Sequence, residues 1–273
     1  MKSIVNRFIN KNDFIMRKFL LNLLFMALMV PWITQAQTPT PATLPYTCGF
    51  EDDTENAAWT IVNGTATNKF FIGTAANHGG TKGLYISSNP NGTTNDYNNG
   101  ASGYVYAQRS ISLANSGVYI FAFDWKAYGE SCCDYIRAFI VPGNDSLTPC
   151  NGTSSFSGIS TTALPTGWIA IDGGSALNVQ SSWQSSVSPE LNLTAGTYKL
   201  VFYWRNDGSV GTTPPAAIDN IAISEVTCPA PTNLALDTNV TSTTATITWV
   251  DTSGAASWVV EYGPRGFVFG TGE

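Results

Sequence analysis

The sequence predicts an all-β protein whose main part, residues 46–226, is a two-sheet sandwich. This stretch shows no helical hydrophobic period of useful length. It contains short runs rich in Val, Ile, Tyr, Phe and Trp, which are separated by clusters of Gly, Asn, Ser and Pro. About ten such runs in about 180 residues fit one large sandwich, which is long enough to bury its own core.

The strand at 198–205 has the clearest alternation, and we expect the residues on one side of it in the core, namely Tyr198, Leu200, Phe202 and Trp204. The strand at 118–126 is apolar on both sides, which indicates a central, covered strand. The ten expected strands are Tyr46–Glu51, Trp59–Val62, Phe70–Gly73, Gly83–Ser87, Tyr104–Leu113, Val118–Lys126, Tyr135–Val141, Trp168–Ile171, Tyr198–Arg205 and Ala217–Val226.

Residues 1–36 are predicted to be an export signal. Arg17 and Lys18 precede the apolar run Phe19–Val30, and Thr34–Ala36 has the small residues of a cleavage site. A bilayer span needs roughly 20 apolar residues, so a retained anchor helix is the less favoured alternative. We therefore expect an extracellular or cell-surface protein without a membrane span after signal removal.

The rest of the chain divides into a linker and two domains. Three prolines in residues 37–45 indicate an extended, solvated linker. We expect a sandwich domain at 46–226 and a second, incomplete domain at 227–273. Irregular connections run from 85 to 104 and from 144 to 165, and such loops usually carry binding residues.

The charge of the chain argues against a nucleic-acid partner. Loss of residues 1–36 would remove five of the 13 basic residues and one of the 19 acidic residues. The mature chain would keep 8 basic and 18 acidic residues, a formal charge of −10. Such a surface repels phosphate backbones.

Five cysteines follow the signal, and export permits disulfides. Cys48 and Cys228 lie at the two ends of the sandwich domain and would pair if its first and last strands are neighbours. Cys132 and Cys133 are adjacent and could bond each other only with strain. We therefore expect one of them, taken as Cys133, to pair with Cys150. Five free thiols are the alternative.

Four segments resemble the cleaved-adhesin and MAM-like jelly rolls of exported Bacteroidetes-type proteins. They are Tyr-Thr-Cys-Gly-Phe-Glu-Asp-Asp at 46–53, Phe-Asp-Trp-Lys-Ala-Tyr-Gly at 123–129, Asp-Tyr-Ile-Arg-Ala-Phe-Ile-Val-Pro at 134–142 and Ala-Ile-Asp-Asn-Ile-Ala-Ile at 217–223. The resemblance implies a jelly-roll sandwich, surface display, and adhesion or glycan binding without a catalytic site.

Residues 228–234, 243–249 and 258–264 are similar to the first three strands of a fibronectin type III domain, with Trp249 as its core tryptophan. The facing strands of such an Ig-like sandwich would be missing. We therefore expect residues 227–273 to be incomplete, with exposed side chains at Val259 and Tyr262.

Carboxylates near both ends of the sandwich domain suggest a structural calcium. Glu51 and Asp53 follow the first strand, and Asp219 lies in the last strand. Calcium accepts six to eight oxygen ligands with loose geometry, and jelly rolls of the type resembled often hold a calcium there. A solvated acidic turn is the alternative.

Aromatic side chains are the best candidates for contact with a ligand, because a flat ring packs against the apolar C–H face of a sugar. Aromatic residues of a sandwich are more often core, and that alternative stays open for each of them. The candidates are Trp125, Tyr128, Trp168 and Trp183.

We therefore expect a binding module for a glycan or an extracellular protein, and no enzyme. The first alternative is a non-catalytic accessory domain of a larger secreted peptidase or glycosidase. The second is a hydrolase that uses Asp124 and Asp134, because two carboxylates can flank a scissile glycosidic bond. His78 is the single histidine and lies in a predicted turn.

Overall fold

The computed structural model describes residues 39–152, 159, 163–228, 231–251 and 254–263, so the expected signal at 1–36 lies outside the described residues. Within them the chain forms fifteen strands and one short helix. The elements are β1 Tyr46–Cys48, α1 Asp53–Ala57, β2 Thr60–Val62, β3 Lys69–Gly73, β4 Gly83–Ser87, β5 Gly103–Leu113, β6 Gly117–Ala127, β7 Tyr135–Pro142, β8 Cys150–Asn151, β9 Ile169–Ala170, β10 Gln180–Val187, β11 Leu191–Leu193, β12 Gly196–Asn206, β13 Ala217–Glu225, β14 Thr232–Leu236 and β15 Ile247–Val250.

The first thirteen strands form two antiparallel sheets. The seven-stranded sheet has the order β10-β6-β13-β4-β3, with β1 paired to β13 and β11 paired to β6. The six-stranded sheet has the order β2-β5-β12-β7-β9, with β8 paired to β5. The prediction of an all-β, two-sheet sandwich is therefore confirmed.

The opening and closing strands of the sandwich lie side by side. In the register of β1 and β13, Tyr46 pairs with Ile223 and Cys48 pairs with Ile221. The chain just before β1 is also packed on the sandwich. Ala42 is buried and donates its N–H to the carbonyl of Ser110 at 2.8 Å, so the prediction of a fully solvated linker at 37–45 is wrong for this part.

The main core fills the space between the two sheets. Phe202 packs edge-on against Phe123 at 5.1 Å and is stacked on Trp59 at 6.2 Å between ring centroids. Trp204 and Leu200 are buried in the same cluster, as predicted. Trp125 also belongs to it, with 7% of its surface exposed. The expectation that this tryptophan contacts a ligand is therefore wrong.

Strand β10 did not stand out in the sequence. It reads Gln-Ser-Ser-Trp-Gln-Ser-Ser-Val and forms an edge of the seven-stranded sheet, where most of its side chains stay exposed or half-buried. An edge strand with one solvated face needs few apolar residues. Strand β6 lies centrally, between β10 and β13, as predicted, although its outer side is largely half-exposed rather than covered.

The expected disulfides are not formed, and the pairing predictions are wrong. Cys132 is bonded to Cys133, whereas Cys48, Cys150 and Cys228 carry free thiols. Cys48 points into the core at 5% exposure, and Cys228 is exposed beyond the end of β13. Cys150 belongs to β8, and its thiol donates a hydrogen bond to the carbonyl of Gly152 instead.

Two of the three strands expected after residue 228 are formed. Strands β14 and β15 pair with each other, and the indole ring of Trp249 contacts that of Trp258 at 6.3 Å. Val259 is 98% exposed and lies outside any strand. The fibronectin resemblance stays a prediction. Among the residues described, no helix is long and apolar enough to cross a bilayer.

Candidate functional site

The outer face of the six-stranded sheet carries a layer of tyrosines. Tyr104 and Tyr106 from β5 and Tyr135 from β7 surround Tyr203 of β12, with ring centroids 5.7, 5.3 and 6.5 Å from that of Tyr203. Strand pairing sets this arrangement, since Tyr203 lies opposite Tyr106 in the register. All four rings are nearly completely buried, although this is the face turned away from the main core.

A buried ion pair fixes one side of this layer. The guanidinium of Arg137 on β7 meets the carboxylate of Asp172 through two hydrogen bonds of 2.6 and 3.2 Å. The same carboxylate accepts the N–H groups of Ala138 at 2.9 Å and Gly174 at 3.0 Å. Neither charged side chain is more than 1% exposed. The tyrosine layer therefore rests on a fixed, internally neutralised support.

Described residues on either side of β8 pack against the tyrosine layer, among them Leu147, Ile159 and Leu164. Trp168 lies over Phe139 at 5.3 Å between ring centroids, and its Nε1–H donates to Asp145 Oδ2 at 2.8 Å. The ammonium group of Lys199 donates to the backbone oxygen of Asp145. Asp145 is thus held in place at the start of the connection from 144 to 165, which the sequence indicated as a binding loop.

A pocket of about 280 Å³ opens between these connections and the sheet. The residues that line it include Tyr104, Tyr106, Trp168, Asp145 and Thr148. A larger groove of about 760 Å³ lies beside Tyr198, which is its single aromatic residue. The smaller pocket combines several rings with one carboxylate, and we take it as the candidate site.

The structure does not bring the four predicted aromatic residues together. Trp168 is in the pocket, whereas Trp183 lies on the seven-stranded sheet. The ring of Trp183 is stacked on His78 at 5.0 Å, and Lys126 Nζ lies 5.1 Å from its centroid. Tyr128 is 37% exposed at the end of β6. Trp183 thus already uses ring surface within the chain, and Trp168 is the candidate that shares a pocket with other rings.

Asp124 belongs to a surface network rather than to a cleft. Its carboxylate accepts hydrogen bonds from Ser185 at 2.5 Å and Asn220 at 2.8 Å, and it contacts His78 Nδ1 at 2.8 Å. Burial disfavours its charged form, but these three contacts outweigh burial and lower its pKa. Asp134 shares none of these partners. The two carboxylates proposed for hydrolysis therefore lie in separate hydrogen-bond networks.

Asp134 is fully buried in a second acidic cluster. It accepts hydrogen bonds from the hydroxyl of Tyr97 at 2.7 Å and the N–H of Asp207 at 3.0 Å. Carboxylate oxygens of Glu130, Asp134 and Asp207 lie within 4.8 Å of one another. Burial raises the pKa of Asp134 to about 6, and the negative charges of Asp207 and Glu130 act in the same direction.

The expected calcium ligands fall into two groups. Asp219 is completely buried; it accepts the N–H of His78 at 2.6 Å, and its pKa is raised by burial and by the charge of Glu51. Glu51 accepts three hydrogen bonds from Thr81 and Lys82. Asp219 forms no ion pair with Lys or Arg in the described part of the chain, whereas the charge of Lys82 helps to lower the pKa of Glu51. Of the three expected ligands, Asp219 therefore fits an oxygen-bound cation best. Asp53 fits it poorly, because Lys82 Nζ lies 2.5 Å from its carboxylate.

The sequence reasoning missed Tyr104, Tyr106 and Asp145 as site residues. The alternation of Tyr104 and Tyr106 in a strand with apolar residues between them was a usable signal, because it places both rings on one face. Asp145 had no such signal, since its position depends on Trp168 and Lys199, which are distant in sequence.

No family model and no curated protein matches the chain. Among solved structures, the CBM22-1 xylan-binding domain from Paenibacillus barcinonensis Xyn10C is 12% identical over 66% of this chain and 93% of that chain, with a TM-score of 0.39. TmCBM61 in complex with β-1,4-galactotriose is 10% identical over 62% of this chain and 88% of that chain, with a TM-score of 0.34. Likenesses at this level say nothing about the ligand of this chain.

Proposed function

We propose that the sandwich at residues 46–226 is a non-catalytic glycan-binding module and that its ligand enters the pocket between Tyr104, Tyr106 and Trp168. The observation that carries the proposal is a pocket in which the half-buried side chains of Trp168 and Asp145 meet the almost completely buried Tyr104 and Tyr106, so that Trp168 offers the ring and Asp145 the carboxylate. Ligand sites are typically apolar and aromatic concavities with a few placed polar groups, and the pocket has this composition.

The chemistry of a sugar matches these walls. One side of a pyranose ring presents C–H groups, which pack against aromatic faces, and its edge presents hydroxyl groups. Asp145 Oδ1 can accept a hydrogen bond from a sugar hydroxyl, while Oδ2 accepts the indole N–H of Trp168. Hydrogen bonds to an ionised acceptor are about twice as strong as neutral ones. Ring and carboxylate would therefore act on different parts of one sugar.

The wider setting that we propose is an exported, surface-associated adhesion protein of the cleaved-adhesin and MAM-like type. An accessory domain of a larger secreted enzyme would also bind a glycan. The pocket is therefore equally compatible with an adhesion protein and with an accessory domain. We also propose that Glu51 and Asp219 hold a structural calcium between the chain ends. The pairing of β1 with β13 supports this, because it brings Glu51, which follows β1, close enough to Asp219 of β13 for its charge to raise the pKa of Asp219.

Tryptophan replacement tests the proposed site. The chain from Gln37 to Glu273 is screened on a glycan array, and the affinity for each bound glycan is then measured by titration calorimetry. Trp168→Ala should weaken binding by roughly 2 kcal/mol, about 30-fold, as expected for a central aromatic anchor. Trp183→Ala is the matched control, since it removes another half-buried tryptophan from the opposite sheet.

Two outcomes would contradict the proposal. Binding that is lost in Trp183→Ala but kept in Trp168→Ala would place the site on the seven-stranded sheet. Absence of any glycan ligand for the folded chain would remove the proposed function itself. Far-UV circular dichroism of both variants shows whether they remain folded.

A further inference from the structure

The bonded cysteines Cys132 and Cys133 lie in the connection between β6 and β7. Cys132 is exposed and Cys133 is half-buried. A disulfide stabilises a fold mainly by restricting the unfolded chain, and this effect grows with the length of the loop that the bond closes. Because these two cysteines are neighbours in sequence, their bond closes no loop and cannot cross-link the sandwich. A role other than stability is therefore indicated.

Backbone hydrogen bonds hold this turn without the sulfur atoms. The N–H of Glu130 donates to the carbonyl of Asp134 at 3.1 Å, and Asn178 Nδ2 donates to the carbonyl of Glu130 at 2.7 Å. Just before the turn, Gly129 and Thr212 exchange two hydrogen bonds of 2.9 and 3.0 Å. The turn should therefore keep its shape when the disulfide is reduced, with the two thiols side by side at the surface.

One oxygen of Glu130 lacks a partner within the described residues. Glu130 Oε2 is buried and accepts no hydrogen bond. A carboxylate oxygen of Glu130 lies within 4.8 Å of the sulfur atoms of Cys132 and Cys133. A buried oxygen without a donor costs free energy, and a disulfide has no hydrogen to donate. A metal ion bound by the reduced sulfur atoms would supply the missing partner.

The carboxylates of Asp134 and Asp207 add negative charge at the same place. Their oxygens and one oxygen of Glu130 lie within 4.8 Å of one another. Among the described residues, none of the ion pairs includes any of these three acids. The turn therefore joins two sulfur atoms to a concentration of negative charge, which favours a cation as ligand.

We infer that Cys132, Cys133 and Glu130 form a redox-controlled metal site, which binds a divalent cation of the zinc type when the disulfide is reduced and not when it is formed. Thiolate ligands favour zinc over calcium and magnesium. Zinc takes four ligands in a tetrahedron. The two cysteines and Glu130 supply three of them, which leaves the fourth position to water or to a neighbouring carboxylate.

A dithiol reductant opens the disulfide in two steps. One thiolate of the reductant attacks the exposed sulfur of Cys132, the bond between the cysteines breaks, and Cys133 leaves as a thiolate. The second thiolate of the reductant attacks the mixed disulfide and releases Cys132. The reductant becomes a cyclic disulfide, the two cysteines together gain two electrons, and the two protons of the reductant pass to them. Zinc displaces these protons when it binds.

The test measures zinc affinity in both redox states. The chain from Gln37 to Glu273 is prepared oxidised and dithiol-reduced, the reductant is removed without air, and Zn²⁺ is titrated in competition with a chromogenic chelator. Alkylation followed by mass spectrometry shows which cysteines are reduced. The reduced chain should bind one zinc ion at least about a hundredfold more tightly than the oxidised chain, because the oxidised chain lacks both thiolate ligands. Cadmium should give the ultraviolet charge-transfer absorption of a thiolate complex in the reduced chain.

Variants assign the ligands. The double replacement Cys132→Ser and Cys133→Ser should lower zinc affinity to that of the oxidised chain. Glu130→Gln should weaken zinc binding of the reduced chain at least about tenfold, because it removes one ligand, and it should leave reduction by the dithiol unchanged. Cys228→Ser removes an exposed free thiol outside the turn, and Glu190→Gln removes an exposed carboxylate. These two control variants should keep the wild-type affinity.

Three results would overturn the inference. The first is equal zinc affinity in the two redox states, or affinity that the double serine variant retains while far-UV circular dichroism shows it folded. The second is Glu130→Gln with the affinity of the wild type. The third is a folded chain in which the dithiol leaves Cys132 and Cys133 unreduced. None of these measurements depends on the proposed glycan site, so the two proposals stand or fall separately.

Discussion

Replacement of Asp134 by Asn should stabilise the protein at neutral pH and leave it unchanged in acid. Asp134 is completely buried, and its carboxylate lies close to those of Glu130 and Asp207. It accepts hydrogen bonds from the hydroxyl of Tyr97 and the N–H of Asp207, both neutral donors. Asn keeps one oxygen for the N–H of Asp207, its amide N–H can donate to the hydroxyl oxygen of Tyr97, and it removes the buried negative charge.

The magnitude follows from the pKa of Asp134, which is raised from 3.8 to about 6, chiefly by burial. Between pH 3.8 and about pH 6, the carboxyl group of Asp134 is protonated in the folded protein and ionised in the unfolded chain. The free energy of unfolding therefore falls as the pH rises through this window and becomes constant above about pH 6. The full difference is roughly 3 kcal/mol, so Asp134→Asn should gain up to about 3 kcal/mol at pH 7.5 and close to nothing at pH 3.5.

Urea unfolding at both pH values, followed by far-UV circular dichroism, measures this difference. EDTA is included so that no divalent cation neutralises the three carboxylates. Asp96→Asn is the matched control, because Asp96 is a half-buried aspartate that lies outside the cluster and bonds to Ser88. An equal change at pH 3.5 and 7.5, or a loss of stability at pH 7.5, would refute the reasoning.

Two further predictions concern the supports of the fold. Asp172→Ala removes the carboxylate that neutralises the buried guanidinium of Arg137, so unfolding in urea should show a loss of about 3–5 kcal/mol; a loss below about 1 kcal/mol would contradict this role of the ion pair. If Glu51 and Asp219 hold calcium, the melting temperature should rise with calcium concentration, because a ligand of the folded state alone stabilises it. Glu51→Gln should reduce this rise and Asp53→Asn should not, and a calcium response unchanged in Glu51→Gln would reject the site.

The sequence predicted the fold wherever hydrophobic alternation is strong. Strands β5, β6, β7, β12 and β13 were placed within two residues at each end, since their buried faces require apolar residues at every second position. Strand β10 lacks this pattern because it is an edge strand with a polar exterior. The pairing of β1 with β13 was expected from the positions of the two strands at opposite ends of the domain, and it is confirmed.

The site was harder to predict because it depends on register and on long-range contacts. Trp125 illustrates a signal that the sequence did contain. It has the same strand parity as Phe121 and Phe123, and all three are in the core. Asp145 illustrates the opposite case. Trp168 and Lys199 hold it in place, and both lie more than twenty residues away, so no local pattern marks it.

The difference between the two outer faces explains why the pocket lies where it does. On the seven-stranded sheet, the ring of Trp183 packs against His78 and Lys126. These two side chains occupy ring surface that a ligand would otherwise contact. On the six-stranded sheet, Leu147, Ile159 and Trp168 pack against the tyrosine layer, and the pocket lies among these described residues and the sheet.

This arrangement separates two tasks. Tyr203 packs against the pocket residues Tyr104 and Tyr106, and it is completely buried, as is nearly all of the ion pair of Arg137 with Asp172 beside it. The sheet side of the pocket is therefore fixed by packing that the fold itself requires. Asp145 and Thr148 belong to the loop and are half-buried or exposed. Because loops tolerate substitution better than the strands they connect, the loop can set which sugar is accepted, while the sheet supplies the rigid surface against which any sugar would pack.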